Sequence, residues 1–427
     1  MKLAVIGGGS TYTPELLDGL LAHAAALSLE EIVLMDIDAA RLEVVSGFCQ
    51  RMARHQGALL TIRTTPDPDQ AIEGAAFVLT QIRVGGQAGR HRDIQLGLRH
   101  DLVGQETTGV GGFAKALRTI PVMLDLCARM ELRCPEAWLI NFTNPSGLVT
   151  EALLKHGRER SIGLCNNPIN LRLDAARLLG VDPDRIELDY IGLNHLSWVR
   201  RILVDGQDAL PGALEALRSA GRPANLPEEL DYPEELLRAL GAVPCSYLRY
   251  YYRTRSAVAA LQARPKSRAE EVAEIERALL DGYRDPAQVV KPEALSRRGG
   301  ANYSRAAVEL ILAIAGDTGS HHVVNVRNAG AIEALPFDCA VELDCRVDAQ
   351  GARPLPLAPP GPEIRGLMQH VKAYEELAVE AAVRQSRKHA ILALLAHPLV
   401  ADADLAVELT DEIARVHGLR FLAGGGA

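Results

Sequence analysis

A cysteine and a histidine, each among polar residues that follow an apolar run, are the first candidates for chemistry. Cys165 lies in the segment GLCNNP (163–168), and His195 lies in GLNHLSW (192–198). A metal shared by one thiolate and one imidazole would keep coordination positions open for a substrate, as catalysis requires. The sequence offers no third ligand at a recognisable spacing. A buried cysteine that acts as a small apolar side chain, beside an unrelated histidine, explains the same residues more simply.

A segment rich in tyrosine and arginine, SYLRYYYRTR (246–255), is the second candidate. A tyrosine serves as a general base only when a metal or a cation lowers the pKa of its hydroxyl from about 10. The alternative is an aromatic helix face that packs in a core. Two further polar stretches are GQETTGVGGF (104–113), whose composition predicts a mobile loop, and NFTNPSG (141–147), which places Asn141 and Asn144 at the end of a strand.

The chain opens with an apolar run that ends in glycines, KLAVIGGGSTYTP. Gly7 and Gly9 fit a dinucleotide-binding turn, although Tyr12 stands where the third glycine of that motif belongs. Backbone amides at the start of the next helix would face a pyrophosphate. Asp36 ends the following strand and would accept a hydrogen bond from a ribose hydroxyl, which favours NAD over NADP. A tight turn without a ligand is the alternative.

The elements that must position these residues alternate between strands and helices over the first part of the chain. Apolar runs that predict strands are separated by segments with helical spacing, which indicates a Rossmann-like, doubly wound parallel sheet. Ligands bind at the carboxyl ends of strands in such sheets, where the polar segments fall. The predicted strands lie in KLAVI (2–6), EIVLMDID (31–38), AAFVLTQIRV (75–84) and AWLINFTNPSG (137–147).

The character of the chain changes after residue 165, and we expect an NAD-binding domain over 1–165 and an α+β domain over 166–427 that carries substrate, metal and oligomer contacts. Its signals are an insertion of short helices and loops, amphipathic helices, two alternating strands, and a Pro/Gly-rich surface loop. They lie at 206–236, 268–283, 303–317, HHVVNVRN (321–328), DCAVELDCRVD (338–348) and 349–362, with long helical segments from 366 onwards.

The charge, hydropathy and cysteine content of the chain indicate which classes of function and location to expect. The 427 residues carry a formal net charge of -8, which favours neither nucleic acid nor an anionic membrane as a partner. We expect no membrane-spanning helix and no secretory leader. The seven cysteines are scattered without a CxxC pair, which predicts a reducing, cytoplasmic location.

In their order along the chain, these segments resemble glycoside hydrolase family 4, the NAD- and metal-dependent glycosidases that depart from the two-carboxylate scheme. The resemblance covers nearly the whole chain, and it implies a fold similar to that of lactate and malate dehydrogenases. The segments are AVIGGGSTYTPEL, IRVGG, GQETTGVGGF, NFTNPSG, GLCNNP, GLNHLSW, YLRYYY and RRGGANYS.

The resemblance implies roles for residues that match family motifs. Cys165 and His195 would bind a divalent metal, usually manganese, although thiolate and imidazole ligands suit a softer metal. Tyr247 would be the catalytic base. The cofactor site for NAD would comprise Gly7, Gly9, Ser10, Thr11 and Asp36.

Substrate contacts are implied for Arg90, Asn144, Asn166 and Arg268, because an arginine suits a sugar phosphate. The family's 6-phospho-α-glucosidases have Asp where this chain has Asn166, as an acid on the leaving group. Asn166 therefore favours hydrolysis of 6-phospho-β-glucosides to glucose 6-phosphate and an aglycone. A bound water or Glu106 would replace that acid.

The implied reaction oxidises C3 of the sugar, removes the C2 proton, eliminates the C1 substituent, adds water and reduces C3 again. Alternatives are another specificity of the family (6-phospho-α-glucosidase, α-glucosidase or α-galacturonidase), a plain NAD-dependent 2-hydroxy-acid dehydrogenase, and a non-catalytic NAD-binding protein. The family resemblance also implies a homodimer or homotetramer. The aglycone, the strictness of the phosphate requirement, the metal in vivo and the oligomer size stay open.

Overall fold

The computed structural model describes residues 1–219, 232–298 and 302–424. The strands are β1 (Lys2–Ile6), β2 (Glu31–Met35), β3 (Thr61–Thr65), β4 (Phe77–Thr80), β5 (Trp138–Asn141), β6 (Ser161–Gly163), β7 (Ile186–Leu193), β8 (Leu196–Val204), β9 (Gln207–Asp208), β10 (Val243–Pro244), β11 (Ser320–Arg327), β12 (Ala340–Asp348) and β13 (Gly351–Pro354).

The helices connect these strands and cover their faces. They are α1 (Thr13–Ala22), α2 (Ala39–His55), α3 (Pro68–Ile72), α4 (Gly86–Arg99), α5 (Val110–Arg133), α6 (Ser146–Ala152), α7 (Asn167–Leu179), α8 (Leu210–Ser219), α9 (Glu234–Leu240), α10 (Arg249–Tyr252), α11 (Thr254–Gln262), α12 (Arg268–Arg284), α13 (Tyr303–Ala315), α14 (Pro362–Val383), α15 (Arg387–Ala396) and α16 (Ala403–His417).

A nine-stranded sheet forms the centre of the molecule, in the order β13-β12-β11-β6-β5-β4-β1-β2-β3. Its first six strands in sequence pair in parallel. β1, β2, β4 and β5 are buried over almost their whole length, because helices cover both faces, and they therefore read as continuous apolar runs. The predicted Rossmann-like parallel sheet is confirmed.

Three antiparallel strands from the second half of the chain extend this sheet beyond β6. β11 meets β6 at the pair Asn325 and Gly163, and the Asn325 side chain donates to the Gly163 carbonyl at 3.4 Å. A Cβ on Gly163 would lie 2.9 Å from the Asn325 Cβ and closer still to Thr150, so only glycine lets this strand pass. The boundary that we place at residue 165 stays a prediction, although strands from both sides of it share one sheet.

A second, antiparallel sheet, in the order β10-β8-β7 with β9 paired to β8, carries His195. The histidine lies in the tight turn between β7 and β8, where Leu193 pairs with Leu196. Its φ of 63° is left-handed, an uncommon conformation for a residue with a side chain. The turn therefore fixes the position of the His195 Cβ atom, from which the imidazole extends.

One expectation for a loop is wrong in part and a second is wrong. The stretch 349–362 contains β13, which pairs with β12 from Asp348 to Cys345, whereas 355–361 have no regular secondary structure, as expected of a loop. The stretch 104–113 is not a mobile loop, because α5 begins inside it at Val110 and most of its residues are buried. The predicted insertion has α8 and α9 at its ends, while residues 220–231 lie outside the described part of the chain.

The seven cysteines are free and buried. In the described ranges, no helix is long and apolar enough to cross a membrane.

Candidate active site

The glycine turn after β1 has the form that a dinucleotide needs. Gly7 has a φ of 93°, and a Cβ there would lie 2.9 Å from the Gln81 carbonyl oxygen. A Cβ on Gly9 would lie 2.8 Å from Asp36 Oδ2, which accepts from the Gly9 amide at 2.9 Å. The two glycines thus leave the turn at the start of α1 without side chains, and the Asp36 carboxylate lies beside it. This cradle, which any side chain would fill, fits a dinucleotide.

Tyr12 explains why the third glycine of the motif is missing. Its ring is buried, and its hydroxyl accepts from the Ser304 amide of α13 at 3.0 Å. A side chain at this position therefore fastens the turn to α13, whereas a glycine would bring α1 close to β1.

Arg298 is a residue near the turn that the motifs did not single out. Its Nε donates to the Thr11 hydroxyl at 2.7 Å, and its Nη2 lies 3.3 Å from Ser10 Oγ and 3.1 Å from Glu276 Oε1. Gly7, Gly9, Ser10 and Asp36 line the same cavity, whereas Thr11 lies fully buried beneath it. Thr11 thus contacts the arginine rather than the cavity surface.

Tyr247 lies face to face with His195. Their ring centroids are 3.6 Å apart and their planes differ by 3°. Tyr247 is in the one-turn helix that precedes α10, and both side chains line the cavity. Burial lowers the pKa of His195 to about 3, so the imidazole is neutral at pH 7 and has a lone pair to offer.

Cys165 lies below the cavity surface, at the end of β6 and before α7. Its sulfur accepts from the Asn167 amide at 3.4 Å, and its side chain also contacts those of Asn194 and Tyr303. Burial, aided by the nearby Glu342 carboxylate, raises the pKa of the Cys165 thiol. A thiol in this position becomes a ligand only when a cation draws off its proton.

Strand β12 supports both ligand segments through Glu342. The fully buried carboxylate accepts from Asn194 at 2.9 Å, from Tyr190 at 2.7 Å and from Asn325 at 2.9 Å. Asn194 precedes His195 and touches Cys165, so the second half of the chain fixes the position of both.

Glu106 is the centre of a buried charge cluster, which we call the Glu106 cluster: Glu106, Arg83, Arg90 and Lys115. Its carboxylate lies 2.8 Å from Arg90 Nη2 and 2.8 Å from Lys115 Nζ, and it also accepts a hydrogen bond from Arg83. Burial opposes ionisation, but the three cations hold the pKa of Glu106 well below its usual range. Burial lowers the pKa of Lys115 to about 8. One anion thus faces three cations, which favours an anionic ligand in the cavity.

Four buried side-chain atoms of residues that line this cavity have no partner in the described parts of the chain. They are Gln81 Oε1, Gln87 Oε1, Arg90 Nε and Asn144 Oδ1. Asn144 also hydrogen-bonds to the Tyr303 hydroxyl, which touches Cys165. Unpaired buried donors and acceptors are costly, so these atoms indicate where a ligand would bind.

The predicted site residues converge on one cavity of about 1540 Å³. Besides the nucleotide turn and the Tyr247–His195 stack, it is lined by Arg90, Asn144, Asn166 and Arg268. Cys165 and Thr11 lie just behind its wall. The motifs alone did not reveal the contacts of the Glu106 cluster, Arg298 or Tyr303, although Arg83, Glu106, Arg298 and Tyr303 lie within segments quoted above and Lys115 lies two residues beyond one.

The donors present fit a metal with few protein ligands. In the part of the chain that is described, no group of three or more His, Cys, Asp or Glu side chains is arranged to hold a cation. A metal here would rely on Cys165 and on the neutral imidazole of His195. The Asn144 Oδ1 atom, which has no partner among the described residues, lies nearby. That arrangement leaves room for oxygen atoms of a substrate.

The sheet order and its helix-covered faces define a Rossmann-like α/β fold. A malate dehydrogenase from Plasmodium falciparum superposes with a TM-score of 0.54 at 14% identity, over 90% of this chain and 99% of its own. Residues 2–181 match the family model described as family 4 glycosyl hydrolase, and residues 190–400 match its C-terminal domain. The chain belongs to glycoside hydrolase family 4.

Three relatives within the family extend over nearly the whole chain. A Bacillus subtilis protein described as a probable 6-phospho-beta-glucosidase is 39% identical over 98% of this chain and 96% of its own. A phospho-alpha-glucosidase of Clostridium acetobutylicum is 30% identical over 96% of each chain. The structure of a 6-phospho-beta glucosidase from Thermotoga maritima with manganese, NAD+ and glucose-6-phosphate superposes with a TM-score of 0.91 at 35% identity, over 100% of both chains.

Proposed function

We propose that this enzyme hydrolyses 6-phospho-β-glucosides to glucose 6-phosphate and an aglycone, with NAD and a divalent metal, Mn²⁺, as cofactors. One observation carries the proposal: the dinucleotide turn and the Tyr247–His195 stack open into the same cavity. This shared cavity supports a reaction in which a redox cofactor and a base act on one substrate. A plain dehydrogenase has no use for the buried thiol of Cys165 beside such a pair.

The Glu106 cluster supports a phosphorylated substrate. Arg90 pairs with Glu106 through Nη2, and its buried Nε has no partner among the described residues. A phosphate oxygen would satisfy that Nε, and it would also offset the excess of positive charge. Arg268 lines the same wall and is a second contact in the proposal.

NAD and the metal supply, when bound, a hydride acceptor for C3 of the sugar and a Lewis acid for its oxygens. Cys165 and His195 hold the metal, while Gly7, Gly9 and Asp36 hold the cofactor. All other steps fall to side chains of this chain and to water.

Tyr247 removes the proton from C2 once C3 is oxidised. Its phenol lies on the His195 ring and interacts with the Arg90 guanidinium, a cation that favours the phenolate. The bond between C1 and the leaving oxygen then breaks by elimination. Water adds at C1 on the face that the leaving group vacated, the proton returns to C2 and the hydride returns to C3. In the proposal, the anomeric configuration is therefore retained and NAD+ is regenerated.

Glu106 is an unsuitable acid for the leaving group. Arg83, Arg90 and Lys115 keep its carboxylate ionised, so it has no proton to give near neutral pH. Of the two alternatives that the sequence leaves open, the geometry favours a water molecule in the cavity.

Asn166 supports the β-specific assignment, because it lines the cavity where an aspartic acid would serve the α-specific branch. The identity of 39% to the β-specific relative against 30% to the α-specific one agrees with it. A 6-phospho-α-glucosidase is the second candidate.

We further propose that the enzyme is a homodimer or homotetramer and that it is cytoplasmic. We also propose that its two domains divide at residue 165. The seven free cysteines support a reducing compartment.

The test follows the release of p-nitrophenol from p-nitrophenyl β-glucoside 6-phosphate, with a thiol present. We expect turnover only when both NAD+ and Mn²⁺ are supplied, with no net accumulation of NADH. The α-anomer and the unphosphorylated β-glucoside are the matched controls. Turnover confined to the α-anomer moves the enzyme to the α-specific branch. NADH that accumulates from a 2-hydroxy acid, without hydrolysis of any glycoside, overturns the proposal.

A further inference from the structure

The segment between α4 and α5 brings a threonine against the histidine of the active site. Thr107 Oγ1 lies 2.9 Å from His195 Nδ1, although 88 positions separate the two residues. Thr107 is in the segment that composition marks as mobile, yet it is held tightly. Either Thr107 Oγ1 or His195 Nδ1 could donate the proton of this hydrogen bond.

Gln105 decides the direction of that hydrogen bond. Its Oε1 accepts from the backbone amide of Thr107 at 2.5 Å and from that of Thr108 at 2.7 Å. Only the oxygen of the amide group accepts from N–H groups, so the orientation of the Gln105 side chain is fixed. The same Oε1 lies 2.7 Å from Thr107 Oγ1, and the hydroxyl therefore donates to it.

A hydroxyl has one proton, so Thr107 accepts from His195. The proton of the neutral imidazole then resides on Nδ1, and Nε2 keeps its lone pair. Within the described residues, Nε2 has no hydrogen-bond partner, and His195 lines the cavity. The order of donors is His195 Nδ1–H to Thr107 Oγ1–H to Gln105 Oε1.

Other contacts keep the ring from turning over. The backbone of His195 is in the left-handed region with a φ of 63°, and Tyr247 covers one face of the ring at 3.6 Å. A flipped ring would present Cδ2 to Thr107 and lose the hydrogen bond. The imidazole is therefore held in one orientation and in one tautomer.

We propose that Thr107 and Gln105 are positioning residues, which fix the Nδ1–H tautomer of His195 and so keep Nε2 available as a metal donor. This inference rests on the proposed role of His195 as a metal ligand. Hydrogen bonds to the second nitrogen of a metal-binding histidine typically change metal affinity by about 10- to 100-fold.

The experiment compares Thr107→Val, Thr107→Ser and Thr119→Val with the wild-type enzyme. Valine has the shape of threonine but no hydroxyl, and serine keeps the hydroxyl. Thr119 is the matched control, because it is fully buried on α5 and its hydroxyl has no partner in the described parts of the chain. Binding of Mn²⁺ is measured without substrate, from the EPR signal of the free ion.

We expect Thr107→Val to weaken Mn²⁺ binding by about 10- to 100-fold, with Thr107→Ser and Thr119→Val close to wild type. The tautomer is read separately from ¹⁵N shifts of histidine-labelled, metal-free enzyme, with the His195 signals assigned through His195→Gln. We expect the proton on Nδ1 in the wild type and a mixture of tautomers in Thr107→Val.

The outcomes separate this inference from the proposed function. A wild-type enzyme that hydrolyses the phosphorylated glucoside, together with a Thr107→Val variant of unchanged Mn²⁺ affinity, overturns the positioning role alone. A proton on Nε2 in the wild type overturns it as well. A wild-type enzyme that binds no Mn²⁺ overturns the metal site of the proposed function, whatever the tautomer.

Discussion

Replacing Glu106 with glutamine would remove the only anion of the Glu106 cluster while keeping the shape of the side chain. Three cations would then face one another without a counter-charge, with Lys115 fully buried and the Glu106 side chain just 10% exposed. Removing one partner of a buried ion pair costs about 3–5 kcal/mol. We expect the free energy of unfolding of Glu106→Gln to fall by about that amount at pH 6.

The pH dependence of this loss follows from Lys115. In the folded wild type burial lowers the pKa of Lys115 from 10.5 to about 8, and without Glu106 it falls further. Between that lower pKa and 8, the folded variant binds one proton fewer than the folded wild type. The difference in the free energy of unfolding between the wild type and Glu106→Gln therefore shrinks as pH rises from the lowered pKa of Lys115 to pH 8. It shrinks by about 1.4 kcal/mol per pH unit and is constant above pH 8.

The assay is urea-induced unfolding followed by circular dichroism at a series of pH values. Glu274→Gln is the matched control, because Glu274 makes an exposed ion pair with Lys266 at 2.6 Å. Such a pair contributes at most about 1 kcal/mol. A Glu106→Gln variant that unfolds at the same urea concentration as wild type, or whose loss is the same at pH 6 and pH 8, would refute the reasoning about the buried charges.

Three further substitutions test the cavity. Arg90→Lys removes the buried Nε donor, and a charged hydrogen bond contributes about 1.5–3 kcal/mol. We therefore expect kcat/KM for the phosphorylated glucoside to fall by about 10- to 100-fold, with little change for an unphosphorylated glucoside. Equal losses on both substrates would speak against a contact between Arg90 and the phosphate. Tyr247→Phe should lower kcat by about 10²- to 10⁴-fold and stop exchange of the C2 proton with D₂O, while NAD+ still binds. Unchanged exchange would show that another residue is the catalytic base. Gly9→Ala places a Cβ 2.8 Å from Asp36 Oδ2 and should weaken NAD+ binding, measured by fluorescence titration, by about tenfold. Gly366→Ala, where nothing lies within 4 Å, should leave that binding unchanged and raise the free energy of unfolding by about 0.5–1 kcal/mol.

The site could be predicted from the sequence to the extent that its residues follow strand ends. Asn144 and Cys165 follow the ends of β5 and β6 by three and two residues, and parallel strands bring their carboxyl ends to one edge of the sheet. The glycines and Asp36 were predictable for the same reason. A local pattern fixes each of these positions, so the three-dimensional arrangement follows from the order of strands.

The Glu106 cluster was not predictable in this way. Arg83, Glu106 and Lys115 are on different elements, and nothing in their local spacing indicates that one carboxylate binds them all. The glycines at 104–113 read as a signal of mobility, whereas they permit close packing: a Cβ on Gly112 would lie 2.2 Å from the Thr107 carbonyl oxygen. Similarly, β13 was missed because prolines and glycines mark turns, while its pairing with β12 is a tertiary contact.

The meeting of β6 and β11 has a consequence for synthesis of the chain on the ribosome. Gly163 and its partner Asn325 are 162 residues apart, so β6 leaves the ribosome long before the strand that covers it. At roughly 5–20 residues per second, its open edge waits about 8 to 32 s for β11. During that interval the nascent chain exposes an unpaired strand edge, which is a site for pairing with other chains. We therefore expect chains truncated shortly after residue 165 to aggregate on expression, while the full-length chain covers the edge with its own strand.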